Sequence, residues 1–187
     1  TQIDLLHERL QSTGKTVTKL REPGGTGLGE LLREILKTPK DGVEIDPVAE
    51  LLLMNASRAQ LVRQVIRPAL DRGEVILVDR FFDSTVVYQG YGRGLDINLV
   101  RRIIDAASGD TRPSLTFLLK VPVSVSEERR AARNSSNPAS RDRFEESERA
   151  FFERIDQGYE SLSASAHDRI KVIDATHDIQ TVHSTIW

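Results

Sequence analysis

The sequence has no cysteine, one methionine and one tryptophan, and aromatic residues fill only 5% of its 187 positions. Without cysteine there is neither a disulfide framework nor a thiolate metal site, which fits a reducing compartment. Charge of one sign is lacking too: 26 basic and 28 acidic residues leave a net charge of −2. That balance excludes a global field for nucleic acid or an anionic membrane, so any anion must be bound locally. No apolar run approaches membrane-spanning length, and the residues after Thr1 do not read as a signal peptide; a cytoplasmic protein is expected. His7, His167, His177 and His183 show no ligand spacing with carboxylates and read as surface or structural residues.

What is present suffices for one ordinary domain over residues 1–187, since 39% of the chain is hydrophobic. The most informative stretch runs from Glu74 to Gly90. Val75, Ile76, Leu77 and Val78 form an unbroken aliphatic run, as expected of a strand buried on both faces of a parallel sheet. The run ends in Asp79 and Arg80, at the strand's carboxyl end, where open α/β sheets hold ligands. An Asp there can accept a proton or hold a metal's water, and an Arg offers a planar fork that fits phosphate oxygens. The plainer reading, a helix cap beside a solvated arginine, stays open at this point. If the chain is helical from Asp83 onward, Thr85, Tyr88 and Gln89 share a face. A hydroxyl, a ring and an amide together suit the edge and sugar of a nucleotide.

Around this stretch, strands alternate with helices. The chain opens in a helix carrying Ile3, Leu6 and Leu10, which Gly14 ends. Thr16 to Leu20 reads as a strand, followed by the turn Arg21-Glu22-Pro23-Gly24-Gly25-Thr26, whose glycines let backbone approach a ligand or simply make a turn. Leu28, Leu31, Leu32, Ile35 and Leu36 mark an amphipathic helix with Arg33 on its polar side, where a solvated charge is the simpler reading. Asp46-Pro47 starts a long helix to Arg72-Gly73, predicted to kink or break near Pro68. Arg58 interrupts its apolar face, and that face extends over more than one side, as if part were covered by a partner. Tyr91 to Gly94 reads as a loop, Asp96 to Ser108 as a helix, Leu115 to Val121 as a second buried strand and Val123 to Arg133 as a helix. A loop over 134–143 follows, flanked by Arg129, Arg130, Arg133, Arg141 and Arg143. It reads either as a mobile cover that brings positive charge to a transferring group, or as a solvated charge run. A helix from Glu145 to Leu162, a strand from Ile170 to Ile173 and a helix from Asp178 to Trp187 complete an α/β pattern with a parallel sheet.

Arg21-Glu22-Pro23-Gly24-Gly25-Thr26, Ser57-Arg58-Ala59-Gln60, Asp79-Arg80-Phe81 with Ser84, and Tyr88-Gln89-Gly90, in that order and at these separations, resemble bacterial thymidylate kinases. The likeness extends to the arginine-rich segment before Asp142-Arg143-Phe144-Glu145 and to the terminal Val172-Ile173-Asp174-Ala175 strand. It implies a doubly wound parallel sheet of P-loop type with helices on both faces and an arginine-rich lid. It further implies transfer of the γ-phosphoryl of ATP to dTMP with Mg2+, no nucleic-acid or membrane partner, and a homodimer. By resemblance Arg80 and Arg33 meet the acceptor phosphate, and Arg58 reaches the thymine edge or the phosphate. Gln89 and Thr85 contact the base, Tyr88 packs on the deoxyribose, and Glu22 and Pro23 line the acceptor side. Asp79 orients the acceptor or a magnesium-bound water, and Arg141 or Arg143 neutralises the transferring phosphoryl.

Two departures accompany the resemblance. The family's first strand and its G-x-x-x-x-G-K-[ST] loop are not in the sequence, and roughly 15 to 20 residues bearing them are expected before Thr1. No ATP-binding residues are therefore assigned. Met54 stands where the family usually has an aromatic ring, which leaves a softer contact for the base. The alternatives are a kinase of another nucleoside monophosphate on the same fold, or a non-catalytic nucleotide-binding protein should the loop be truly missing.

Overall fold

The computed structural model describes residues 1–37, 43–136, 144 and 148–187. Apolar runs become strands where turn residues release them. Gly14 and Gly73, with φ of 82° and 77°, turn the chain into β1 (Val17–Arg21) and β2 (Val75–Asp79); both conformations disfavour a side chain. β1 and β2 pair in parallel, from Val17 opposite Val75 to Arg21 opposite Asp79. Likewise β3 (Thr116–Lys120) runs parallel to β4 (Ile170–Asp174). The α/β class read from the sequence is the one observed.

Period-2 alternation directs the faces of the first pair. Leu20, Ile76 and Val78 pack on Leu61, Val62 and Ile66 of the long helical segment. On the other face lies α1 (Gln2–Ser12), tied to β1 by a 2.5 Å contact from Lys19 to Asp4. α9 (Ile179–Ile186) packs beside α1 and on β4 through Ile173, Val182, Ile186 and Leu6.

The long helix starts as predicted. The Asp46 carboxylate accepts from Val48 N at 2.7 Å, and Pro47 opens α3 (Pro47–Leu61). It does not break at Pro68. A π-helical turn, Val62–Ile66, precedes α4 (Arg67–Asp71), and Arg67 N donates to Val62 O, five residues back. A proline cannot donate and its ring crowds the preceding turn; the wider turn ahead of Pro68 accommodates it while the helix continues to Asp71.

A second π-helical turn corrects another boundary. α5 (Phe82–Thr85) passes directly into Val86–Gly92, so Tyr91 and Gly92, read as loop, are helical. α6 (Ile97–Ser108) follows with Asp96 as its cap, then α7 (Val123–Ser136), three residues longer than predicted, and α8 (Arg149–Ser165).

β2 was expected to be buried on both faces, yet Val75 to Val78 are half-buried. The reason is topological. Among the described residues β2 pairs only with β1, and β3 only with β4. The unpaired sides of β2 and β3 border a single cavity of about 1450 Å³. α2 (Gly27–Lys37) also departs from expectation: Leu36 is buried, but Leu28, Leu31 and Ile35 are exposed. Much of its apolar stripe thus faces outward.

Candidate active site

Because Arg21 and Asp79 are register partners, the two chains leave their strands side by side, and Glu22 N donates to Asp79 O at 3.0 Å. The Arg21 to Thr26 turn and the Asp79-Arg80 pair therefore meet at one end of the cavity. In the turn, Gly24 and Gly25 have φ of 134° and 78°. A Cβ on Gly25 would lie 2.8 Å from Leu61 Cδ1. Glu30 braces the turn: its carboxylate accepts from Gly25 N at 2.8 Å and from Arg21 at 2.9 Å. The Gly25 amide, foremost, holds that carboxyl below its usual range. Thr26 caps α2 through Gly29 N at 2.9 Å. Arg33 is not a simple solvated charge; its Nη1 donates to Pro23 O at 2.8 Å, beside the cis Glu22-Pro23 bond.

The residue that interrupted the apolar face, Arg58, is only 2% exposed. Nε and Nη2 donate to Glu22 Oε2 at 2.9 and 2.7 Å, Nη1 to Asn55 Oδ1 at 2.9 Å, and Nη2 to Thr85 Oγ1 at 2.9 Å. Among the described residues four of the guanidinium's five N–H groups are thereby used, leaving one on Nη1. Phe81 stacks on the group with its ring centre 5.4 Å from Cζ. Burial pushes the Glu22 carboxyl up from its usual range, and the Arg58 charge opposes that push. Thr85 is buried with its hydroxyl committed to Arg58, yet it borders the cavity.

Arg80 has φ of 64°, a left-handed conformation that costs a side-chain-bearing residue free energy. Such outliers mark places where surroundings enforce a geometry. Here the conformation lays the Arg80 guanidinium over the Tyr88 ring at 4.9 Å. Tyr88 is wedged edge-on against Phe144 and Phe151 at 6.2 and 6.0 Å. Behind them Ser84 Oγ lies 3.4 Å from Tyr159 Oη, and burial pushes the Tyr159 phenol up, so it faces Arg80 as a neutral group.

Asp79, Arg80, Arg33, Arg58, Thr85, Tyr88, Gln89, Met54, Glu22 and Pro23 all border the one cavity. Arg129 and Arg130 reach it from α7, the latter stacked 3.4 Å over Phe152. Nine basic and five acidic side chains line this cavity in a chain of net charge −2, a local basic excess that suits an anion. Arg141 and Arg143 lie outside the described residues. Sequence reasoning missed Glu50, Asn55, Arg93 and Tyr159. A signal was there for two of them: Glu50, Met54 and Arg58 recur at helical spacing along an apolar helix, with Asn55 beside them.

Among the described residues no three His, Cys, Asp or Glu side chains converge. Asp79, exposed at the strand tip, fits an ion that keeps most of its water and binds chiefly through phosphate oxygens, as magnesium does.

A protein-family profile described as Thymidylate kinase matches residues 1–186. Over the whole chain the protein is 44% identical to a thymidylate kinase of Syntrophotalea carbinolica and 43% identical to one of Deinococcus radiodurans, spanning 87% of each. Its fold is similar to the crystal structure of thymidylate kinase from Ehrlichia chaffeensis, with a TM-score of 0.76 and 30% identity. That likeness covers 99% of this chain and 86% of the other. No described helix is long and apolar enough to cross a membrane.

Proposed function

The chain belongs to the thymidylate kinase family, and from that premise we propose that it phosphorylates dTMP to dTDP with ATP, on the way to dTTP. A phosphate oxygen of dTMP attacks the γ-phosphorus of ATP, that bond forms as the bond to the bridging oxygen breaks, and ADP leaves with the electron pair. Such transfer needs positioning and charge stabilisation more than covalent help. The observation that carries the reading is the convergence on one cavity of Arg80, Arg33, Arg58, Tyr88 and Gln89 with the glycine turn.

Arg80 and Arg33 neutralise the acceptor phosphate. Tyr88, held by two rings and a guanidinium, packs the deoxyribose. Of the two roles the sequence left for Arg58, its commitment to Glu22 favours the base: a fork neutralised by a carboxylate has one N–H left for a carbonyl, not a charge for a phosphate. Met54 lies against the base, and Thr85 supports Arg58. Asp79 orients the acceptor, or would hold a magnesium ion through its water, and that ion would supply charge neutralisation at the transferring group. Arg141 or Arg143 adds positive charge from the lid.

Residues 1–187 belong to one kinase domain in this reading; among the described residues β2 and β3 present unpaired edges toward the same cavity. A homodimer is supported by the outward apolar side of α2, where Leu31 is 60% exposed, and by Leu52 of the long helix α3, 51% exposed. Its use of ATP supports a cytoplasmic location. Coupled ADP-release assays with ATP, Mg2+ and dTMP test the reading: turnover of dTMP is expected, and none from the intact protein would refute it.

A further inference from the structure

Gln89 is gripped from behind by a network that none of these roles uses. Glu50 lies in the first turn of α3, where an acidic side chain ordinarily sits in water near the helix's positive end. Here it is 0% exposed and does not border the cavity. Its Oε1 accepts from Gln89 Nε2 at 2.7 Å, while Arg93 donates to both oxygens, at 3.3 and 3.1 Å. Arg93 is itself fixed over the Phe151 ring at 4.7 Å. An ionised carboxylate only accepts, so the Gln89 amide can meet it only through nitrogen. Gln89 borders the cavity, and with its nitrogen held by Glu50 the amide oxygen is the end available to a ligand there.

We propose that Glu50 is a positioning residue for base selectivity: by holding the Gln89 nitrogen it turns the amide oxygen toward the acceptor base and selects bases with N–H at N3. The inference rests on the cavity being the nucleotide acceptor site. Thymine and uracil offer N–H at N3 and a carbonyl at C4, which match the Gln89 oxygen and the remaining Arg58 N–H. Cytosine offers a bare N3 and an amine, setting acceptor against acceptor and donor against donor. Each mismatch strands a buried polar group, the arrangement by which sites discriminate most strongly.

The test compares kcat/KM for dTMP, dUMP and dCMP in the wild type and in Glu50→Gln. The introduced amide can donate as well as accept, so Gln89 is no longer held one way round. The dTMP:dCMP ratio is expected to fall about tenfold or more, while the dTMP:dUMP ratio stays within about twofold, because those two bases share the pattern being read. A merely structural role would lower all three together, and an unchanged dTMP:dCMP ratio overturns the inference. Should Glu50→Gln not fold, Glu50→Asp keeps the buried charge by Arg93 but withdraws it from Gln89, and the same criteria apply. A wild type inactive on dTMP would refute the proposed function; dTMP and dCMP affinities by calorimetry then replace turnover, with the same ratio deciding.

Discussion

Arg80 combines a backbone penalty with a side-chain function, and the two separate under substitution. Arg80→Ala and Arg80→Gly both remove the acceptor-phosphate contact, and each is expected to lose kcat/KM equivalent to about 2 to 4 kcal/mol. Their stabilities should differ. Alanine keeps the left-handed strain at φ of 64° and glycine does not, so the glycine variant should unfold about 1 kcal/mol later in urea titration than the alanine variant. Equal stability would show that the positive φ carries no strain, and undiminished activity would remove Arg80 from the site. At this scale the sequence offered Arg80 for a phosphate, with a solvated neighbour of a helix cap equally open, and assigned Tyr88 to the sugar only through the family resemblance. It was silent on Glu50, since an acid in a helix's first turn looks like an ordinary solvated partner of the dipole.

Helix ends were legible wherever cap and periodicity coincide. Asp46-Pro47, Asp96 and Asp178 each open a helix as expected, and the carboxylates accept from the backbone two residues on. The two π-helical turns were not legible, because an apolar pattern of period 3.6 does not announce one extra residue in a turn. Asp178 offers a check on the caps. Its carboxylate accepts from Thr181 Oγ1 at 2.6 Å and from Gln180 N at 2.9 Å. Donation from the Thr181 hydroxyl, foremost, holds it below its ordinary value of 3.8. A carboxyl depressed by folding contributes above its unfolded value and loses that contribution as pH falls through the folded one. Asp178→Ala should therefore lower the melting temperature by a few degrees at neutral pH. The gap from wild type should close as the scans move below pH 3.8. A gap independent of pH would mean that the cap does not act through its charge.

At the scale of the whole molecule, the α/β class and the parallel pairing of strands followed from alternating βα patterns, but burial of β2 and β3 did not, because burial depends on what pairs with an edge rather than on the strand's own residues. The outward apolar side of α2 was equally hidden: periodicity reveals an amphipathic helix without saying what covers it. If a second copy covers it, Leu31→Glu should raise the dimer dissociation constant roughly a hundredfold, about 3 kcal/mol, in sedimentation equilibrium. A wild type that sediments as a monomer would end the dimer proposal. The uneven placement of charge has a last consequence. With nine basic against five acidic side chains along the cavity, small phosphate esters that enter its mouth come within reach of the arginines. Electrolyte screens charges in open solvent over about 8 Å at physiological strength and weakens enclosed contacts much less. Binding of such esters should therefore fall only modestly as salt rises.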